Sequence, residues 1–149
     1  MFKVVRQTPK NETLQKLAAF MWHLTSHEEA VINHKLLPVL NTDMVINLAG
    51  NVYYRFEDTP EIKAPDIHIR LIKKQPQFIR QNAALNIWGV AFYAYGLYPF
   101  LQIPMDKLEG MVLDAVNIDA GPLTEINEKL KTVASEAQGF AMLEAALLQ

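Results

Sequence analysis

The side chains able to do chemistry in this sequence are few and scattered. His23 and His27 stand four residues apart, and His34 follows. Helical i, i+4 spacing would put two histidines on one face, as a zinc site needs. This pair instead falls at the end of an alternating apolar stretch and in the polar turn after it. No HExxH pattern accompanies it, and solvated histidines are the plainer reading. His68 and Arg70 alternate with Ile67, Ile69 and Leu71. Inside a barrel they would hold an anionic effector by charge-assisted hydrogen bonds; facing water they are ordinary surface residues, the commoner case. Trp22, Trp88, Phe92 and Tyr93 are aromatic candidates for pocket walls, with Tyr95 and Tyr98 beside them. Aromatics at strand spacing are more often plain core. Asn47 interrupts an apolar run, and a buried amide needs partners from the backbone or from a ligand. The serines, Ser26 and Ser135, lie in no Gly-x-Ser-x-Gly elbow, and the six glycines form no phosphate loop. The expectation is a binding protein and not an enzyme, with no cofactor and no metal. The expected ligand contacts are Trp22, Asn47, His68, Arg70, Trp88, Phe92 and Tyr93.

The elements that must position these residues are mostly strands. Phe2 to Arg6 alternates. Asn11 can N-cap a short helix through Leu14 and Leu17. Ala19 to Leu24 reads as a strand with Phe20, Trp22 and Leu24 on one face and Met21, His23 and Thr25 on the other. Val31 to Leu37 follows. Met44 to Leu48 is apolar on both faces, as in a central strand. Gly50-Asn51 signals a hairpin into Val52 to Phe56. The stretch 57–66, with Pro60 and Pro65, reads as an exposed loop. Ile67 to Ile72 alternates again, and Gln77 to Gln81 and Asn86 to Tyr93 read as a hairpin joined near Gln81-Asn82-Ala83. Gly96, Pro99 and Pro104 then punctuate a corner and a short helical stretch, Met105 to Glu109. The last third is helical. Leu123, Ile126, Leu130 and Val133 share one face, and Ser135 opens a second helix with its hydroxyl accepting from the backbone of Gln138. That stripe must be buried, against a second copy or against the chain's own sheet.

At 149 residues, half of them hydrophobic, the chain reads as one globular domain. It divides into a β-rich part over 1–118 and a helical pair over 119–149. There is no cysteine, which excludes disulfides and thiolate metal sites. The N-terminus shows no signal peptide and no apolar run reaches membrane-spanning length, so a cytoplasmic protein is expected. A net charge of −2 and a pI near 6.1 do not suit a chain that binds DNA by itself.

Order and spacing over nearly the whole chain resemble the N-terminal sensor domain of AraC-type transcription regulators. Gly89-Val90 and Phe92 match that family's strand, Gly96 its glycine corner, Pro99-Phe100-Leu101 its turn, and Pro104 with Leu108 its short helix. Leu37-Pro38 with Asp43 to Leu48, and Phe20-Met21-Trp22, match two earlier motifs. Tyr93-Ala94-Tyr95 stands where the family has Arg-Pro-Gly. The resemblance implies an α+β fold: a cupin-like β-barrel or bent antiparallel sheet followed by C-terminal helices. It implies a small-molecule effector, a homodimer through the C-terminal helices, and DNA contact only through a helix-turn-helix half absent from this sequence. Two rivals stand beside it. One is a cupin-like metalloenzyme using His23, His34 and His68; the other is a protein-interaction module without a pocket.

Overall fold

The computed structural model describes residues 2–26, 32–36, 42–56, 60–64, 66–70, 77–93, 112–114 and 125–148. Their strands are β1 (Phe2–Gln7), β2 (Ala18–Ser26), β3 (Ile32–Leu36), β4 (Thr42–Phe56), β5 (Ile62–Lys63), β6 (Ile67–Arg70), β7 (Gln77–Phe92) and β8 (Val112–Asp114). The helices are α1 (Glu12–Leu17), α2 (Ile126–Leu130) and α3 (Glu136–Leu147). All strand pairs are antiparallel, in the order β1-β2-β7-β4-β6-β8, with β3 added to β7 and β5 to β4. The fold is therefore α+β, a bent antiparallel sheet followed by C-terminal helices. Among the described residues it forms no closed barrel.

Two long strands build the bend. β4 runs for 15 residues and β7 for 16. The Gly50-Asn51 turn and the Gln81-Asn82-Ala83 turn expected from sequence are not hairpins. Both lie inside continuous strands, at a pair of register irregularities. From Asn47↔Ile87 to Ala49↔Asn86, β4 advances two residues against one of β7. From there to Asn51↔Asn82, β7 advances four against two. The single extra residue in β4 shifts its alternation. Val45 and Val52, an odd number of residues apart, therefore share one face and one apolar cluster with Tyr54, Ile79 and Ile87. Asn47 sits at the kink. Its Oδ1 accepts from the Ala49 N–H at 3.2 Å, and its own N–H donates to the Asp66 carbonyl at 2.7 Å. The stretch read as an exposed loop contributes β5, paired to Tyr53 and Tyr54.

The other face of the sheet carries the larger core. Met21, Met44, Ile46, Ile67, Ile69, Trp88, Val90 and Phe92 lie under Ile126, Leu130, Phe140, Leu143 and Leu147 of the two C-terminal helices. The caps are local. Asn11 Oδ1 accepts from Thr13 and Leu14, and Ser135 Oγ accepts from Gln138 at 3.2 Å. Glu144 of α3 is buried, and its Oε1 accepts from the Lys10 and Asn11 N–H groups at 2.8 and 2.9 Å, which satisfies its charge and ties α3 to the start of α1. Helices and sheet thus share one core. No helix among the described residues is long and apolar enough to cross a membrane. The Gly96 corner, the Met105–Glu109 stretch, Leu123 and His27 lie outside the described residues.

Candidate functional site

Folding the far halves of β4 and β7 over the near halves leaves a cavity of about 300 Å³ inside the bend. Its walls are mainly apolar: Trp22 and Leu24 of β2, Val45 and Val52 of β4, and Ile79 and Ile87 of β7. Val4 of the edge strand β1 also lines it and is more than half exposed, so the cavity opens there. Among the described lining residues, Tyr54, Arg70 and Gln81 carry polar side-chain groups, and Trp22 carries its indole N–H. The volume is at the small end of those that hold ligands, and apolar walls with a few polar groups are what such sites share.

Arg70 reaches the cavity from β6. Its Nη2 donates to Asp43 Oδ2 at 2.6 Å, across the Asp43↔Arg70 pair of β4 and β6. Burial disfavours the guanidinium charge, yet the Tyr54 oxygen and the Asp43 carboxylate outweigh it and hold the Arg70 pKa above its ordinary value. Its Cζ also lies 5.8 Å from the centre of the Tyr54 ring. Tyr54 Oη is hydrogen-bonded to His68 Nε2 at 2.8 Å. This contact joins the folded-over half of β4 to β6. Burial pushes the Tyr54 phenol up to about 12, with Arg70 lowering it and Asp43 raising it, so the phenol is protonated at neutral pH. Three buried polar side-chain atoms have no hydrogen-bond partner among the described residues: Thr42 Oγ1, Arg70 Nε and Gln81 Oε1. Two of the three belong to cavity-lining residues, and Gln81 is only 8% exposed.

Of the side chains expected to touch a ligand, the cavity gathers Trp22 and Arg70. His68 lies one step away behind Tyr54, and Asn47 is buried at the kink. The plainer reading that put His68 and Arg70 in water is overturned: His68 is 0% exposed, because the folded-over strands cover that face. Trp88 and Phe92 project from the opposite face, into the helix-covered core, since their even numbers set them out of phase with Ile87 on β7. Tyr93 is exposed just past the end of β7, its N–H donating to the Leu17 carbonyl at 3.0 Å. Tyr54 and Gln81 escaped the sequence reading. The signal for both was their alternation with outward residues, Tyr53 and Arg80, which pair across β4 and β7 and stack with the Arg80 Cζ 4.0 Å from the Tyr53 ring centre.

The structure also places the histidines of the rival metal site and the helix stripe read as a dimer face. His23 and His68 sit on opposite faces of the sheet, so a metal site built jointly from His23, His34 and His68 does not form. No group of three or more metal-ligating side chains stands together among the described residues; the His34 side chain lies outside them. The helix stripe offered as a dimer face is buried within the single chain. Ile126 and Leu130 are 1% and 2% exposed and Val133 packs against the same core, because a sheet face this apolar needs its own cover.

Behind the cavity wall lies a second arrangement. His23 pairs with Trp88 across β2 and β7, and their rings stack with centroids 3.9 Å apart. His23 Nδ1 is hydrogen-bonded to Glu136 Oε2 at 2.9 Å and its Nε2 to Asn86 Oδ1 at 2.8 Å. The His23 hydrogen bond holds the Glu136 carboxyl below its usual range, with Lys3 adding to the effect. The Trp88 ring fits a notch at Gly139, where any Cβ would overlap it, and meets Phe140 edge-on. One cross-strand pair away, on the cavity side, the Trp22 ring lies against Gly89 in the same manner. Successive pairs of β2 and β7 thus link the cavity wall to the first turns of α3.

No curated protein matches the sequence. Among solved structures, the cupin domain of Schizosaccharomyces pombe Cnp3 matches at 8% identity over 62% of this chain and 61% of its own, with a TM-score of 0.44. A predicted oxalate decarboxylase from Thermotoga maritima matches at 11% identity over 62% of this chain and 80% of its own, with a TM-score of 0.42. The AraC-like transcriptional activator CuxR matches at 13% identity over 98% of this chain and 62% of its own, with a TM-score of 0.49. This chain spans less than two thirds of the Cnp3 domain and of the activator. Residues 6–114 match the family described as "Domain of unknown function (DUF6597)". That match takes in every strand that lines the cavity apart from the first residues of β1, and the chain belongs to the DUF6597 family.

Proposed function

We propose that this chain is the effector-sensing domain of an AraC-type transcription regulator and has no catalytic role of its own. The observation that carries this reading is the cavity within the bent sheet, with its apolar walls and, on lining residues, two buried polar atoms that lack partners among the described residues. A buried donor or acceptor that has given up water needs a replacement, and a bound molecule supplies it. The lining favours binding over turnover. Tyr54 holds its proton far above neutral pH, Arg70 is spoken for by Asp43, and Gln81 is no acid or base. The regulator part of the reading rests on the motifs around Phe20, Asp43 and Gly89.

A sensing domain must bind its effector differently in two states. A molecule in the cavity presses on Trp22. Trp22 rests on Gly89, and the neighbouring Trp88 sits in the α3 notch, so the pressure has a physical route to the C-terminal helices. DNA is contacted by an attached helix-turn-helix half, since this chain is slightly acidic. Two copies pair through surface other than the stripe of Ile126, Leu130 and Val133, which packs against the chain's own core. Native mass spectrometry after exposure to a cell extract tests the sensing role. The wild-type chain should retain a small molecule, and Val45→Phe, which fills the cavity, should lose it while keeping its circular dichroism. A wild-type chain that retains nothing, or a Val45→Phe chain that retains the same molecule, overturns the reading. Sequencing the encoding frame tests the regulator part: a basic helix-turn-helix region joined to this domain is expected.

A further inference from the structure

The chemistry of the cavity narrows what it accepts. Among the described residues its charge is already balanced, because Arg70 Nη2 donates to Asp43 Oδ2 at 2.6 Å. An anionic ligand would bring a third charge to a balanced pair in a largely apolar site and meet the Asp43 carboxylate as a like charge. What the site lacks is neutral. Among the described residues, Arg70 Nε is a donor without an acceptor, and Gln81 Oε1 is an acceptor without a donor. The apolar walls, from Leu24 to Ile87, offer dispersion contacts to an apolar body.

We propose that the cavity binds an uncharged, largely apolar molecule of one or two rings that carries both a hydrogen-bond acceptor, for Arg70 Nε, and a donor, for Gln81 Oε1. Amides and lactams are one functional class that carries both in a single neutral group, on separate atoms. This specifies the ligand of the sensing site proposed above and rests on that reading.

Titration calorimetry at pH 7 with three matched probes tests it: 2-naphthamide, with donor and acceptor; methyl 2-naphthoate, with an acceptor only; and 2-naphthoate, an anion. The wild-type chain should bind the amide tightest and the anion weakest. Gln81→Leu should weaken the amide about tenfold, the equivalent of one buried hydrogen bond, and leave the ester unchanged. Asp43→Asn keeps an oxygen opposite Arg70 but uncovers its charge, so the order of amide and anion should reverse. An anion that binds the wild type best overturns the inference and leaves a ligand pocket standing. An amide indifferent to Gln81→Leu overturns it as well. If no probe binds but native mass spectrometry shows a retained molecule, only the inference falls; if nothing is retained either, the sensing role falls with it.

Discussion

Replacing Gly139 by alanine sets helix propensity against packing, and the two predict opposite signs. Glycine within a helix is disfavoured by about 1 kcal/mol relative to alanine. On propensity alone, Gly139→Ala in the 12-residue α3 should stabilise the protein. The packing says otherwise. A Cβ at this position would overlap three atoms of the Trp88 ring. That ring has nowhere to go. It is 2% exposed, stacked on His23 at 3.9 Å and edge-on to Phe140 at 5.1 Å. Overpacking of a tight core costs about 1–3 kcal/mol. The alternative is to lift α3 away, which uncovers Phe140, Leu143 and Leu147 at about 1.5–3 kcal/mol for each side chain fully exposed. Even a fraction of that exceeds the propensity gain. Gly139→Ala should therefore destabilise by about 1–3 kcal/mol, read as a lower urea midpoint at constant slope. In a Trp88→Leu background the same substitution should cost less, with a coupling of about 0.5–3 kcal/mol. A Gly139→Ala chain that unfolds at the wild-type midpoint or above refutes the argument.

Three other outcomes follow from the same packing. Tyr54→Phe removes the hydroxyl that His68 Nε2 meets at 2.8 Å in a buried place, and should cost about 1–3 kcal/mol in chemical unfolding. Leu130→Asp should unfold or grossly destabilise the single chain, seen by circular dichroism, whereas a residue serving only as a dimer contact would leave a folded monomer on sizing. Glu136, whose folded pKa is depressed by His23 and Lys3, contributes stability that is present above its unfolded value and is lost as pH falls through the folded one. Urea midpoints measured from pH 7 to pH 3 should therefore fall less steeply for Glu136→Gln than for wild type, the difference opening below about pH 4.3 and remaining small because the carboxylate is partly solvated.

Local alternation was readable from the residues alone. Trp22 and Leu24 do oppose Met21 and His23, and His68 and Arg70 do oppose Ile67 and Ile69. Which face is inside was not, because that depends on where strands distant in sequence go. Gly50-Asn51 carries the composition of a two-residue turn, and only its tertiary partners decide between a turn and a kink in one strand. Missing the kink hid the site. With β4 broken into two strands, nothing required Tyr54 and Gln81 to face Trp22 and Arg70. The helix stripe was legible as a stripe, but an amphipathic pattern does not say what covers it; the core on the sheet face over Met44 and Val90 did.

The chain holds two tryptophans, and they stand on consecutive cross-strand pairs, one per face of the sheet. This gives the protein two optical reporters without labelling. Emission from Trp22, at the wall of the cavity, would report a ligand that entered it. Emission from Trp88, sealed under α3 and stacked on an imidazole, follows the docking of the helix. With Trp22→Phe and Trp88→Phe chains to separate the two signals, the lag between them after rapid mixing with a ligand would clock how long a change takes to cross from one side of the sheet to the other.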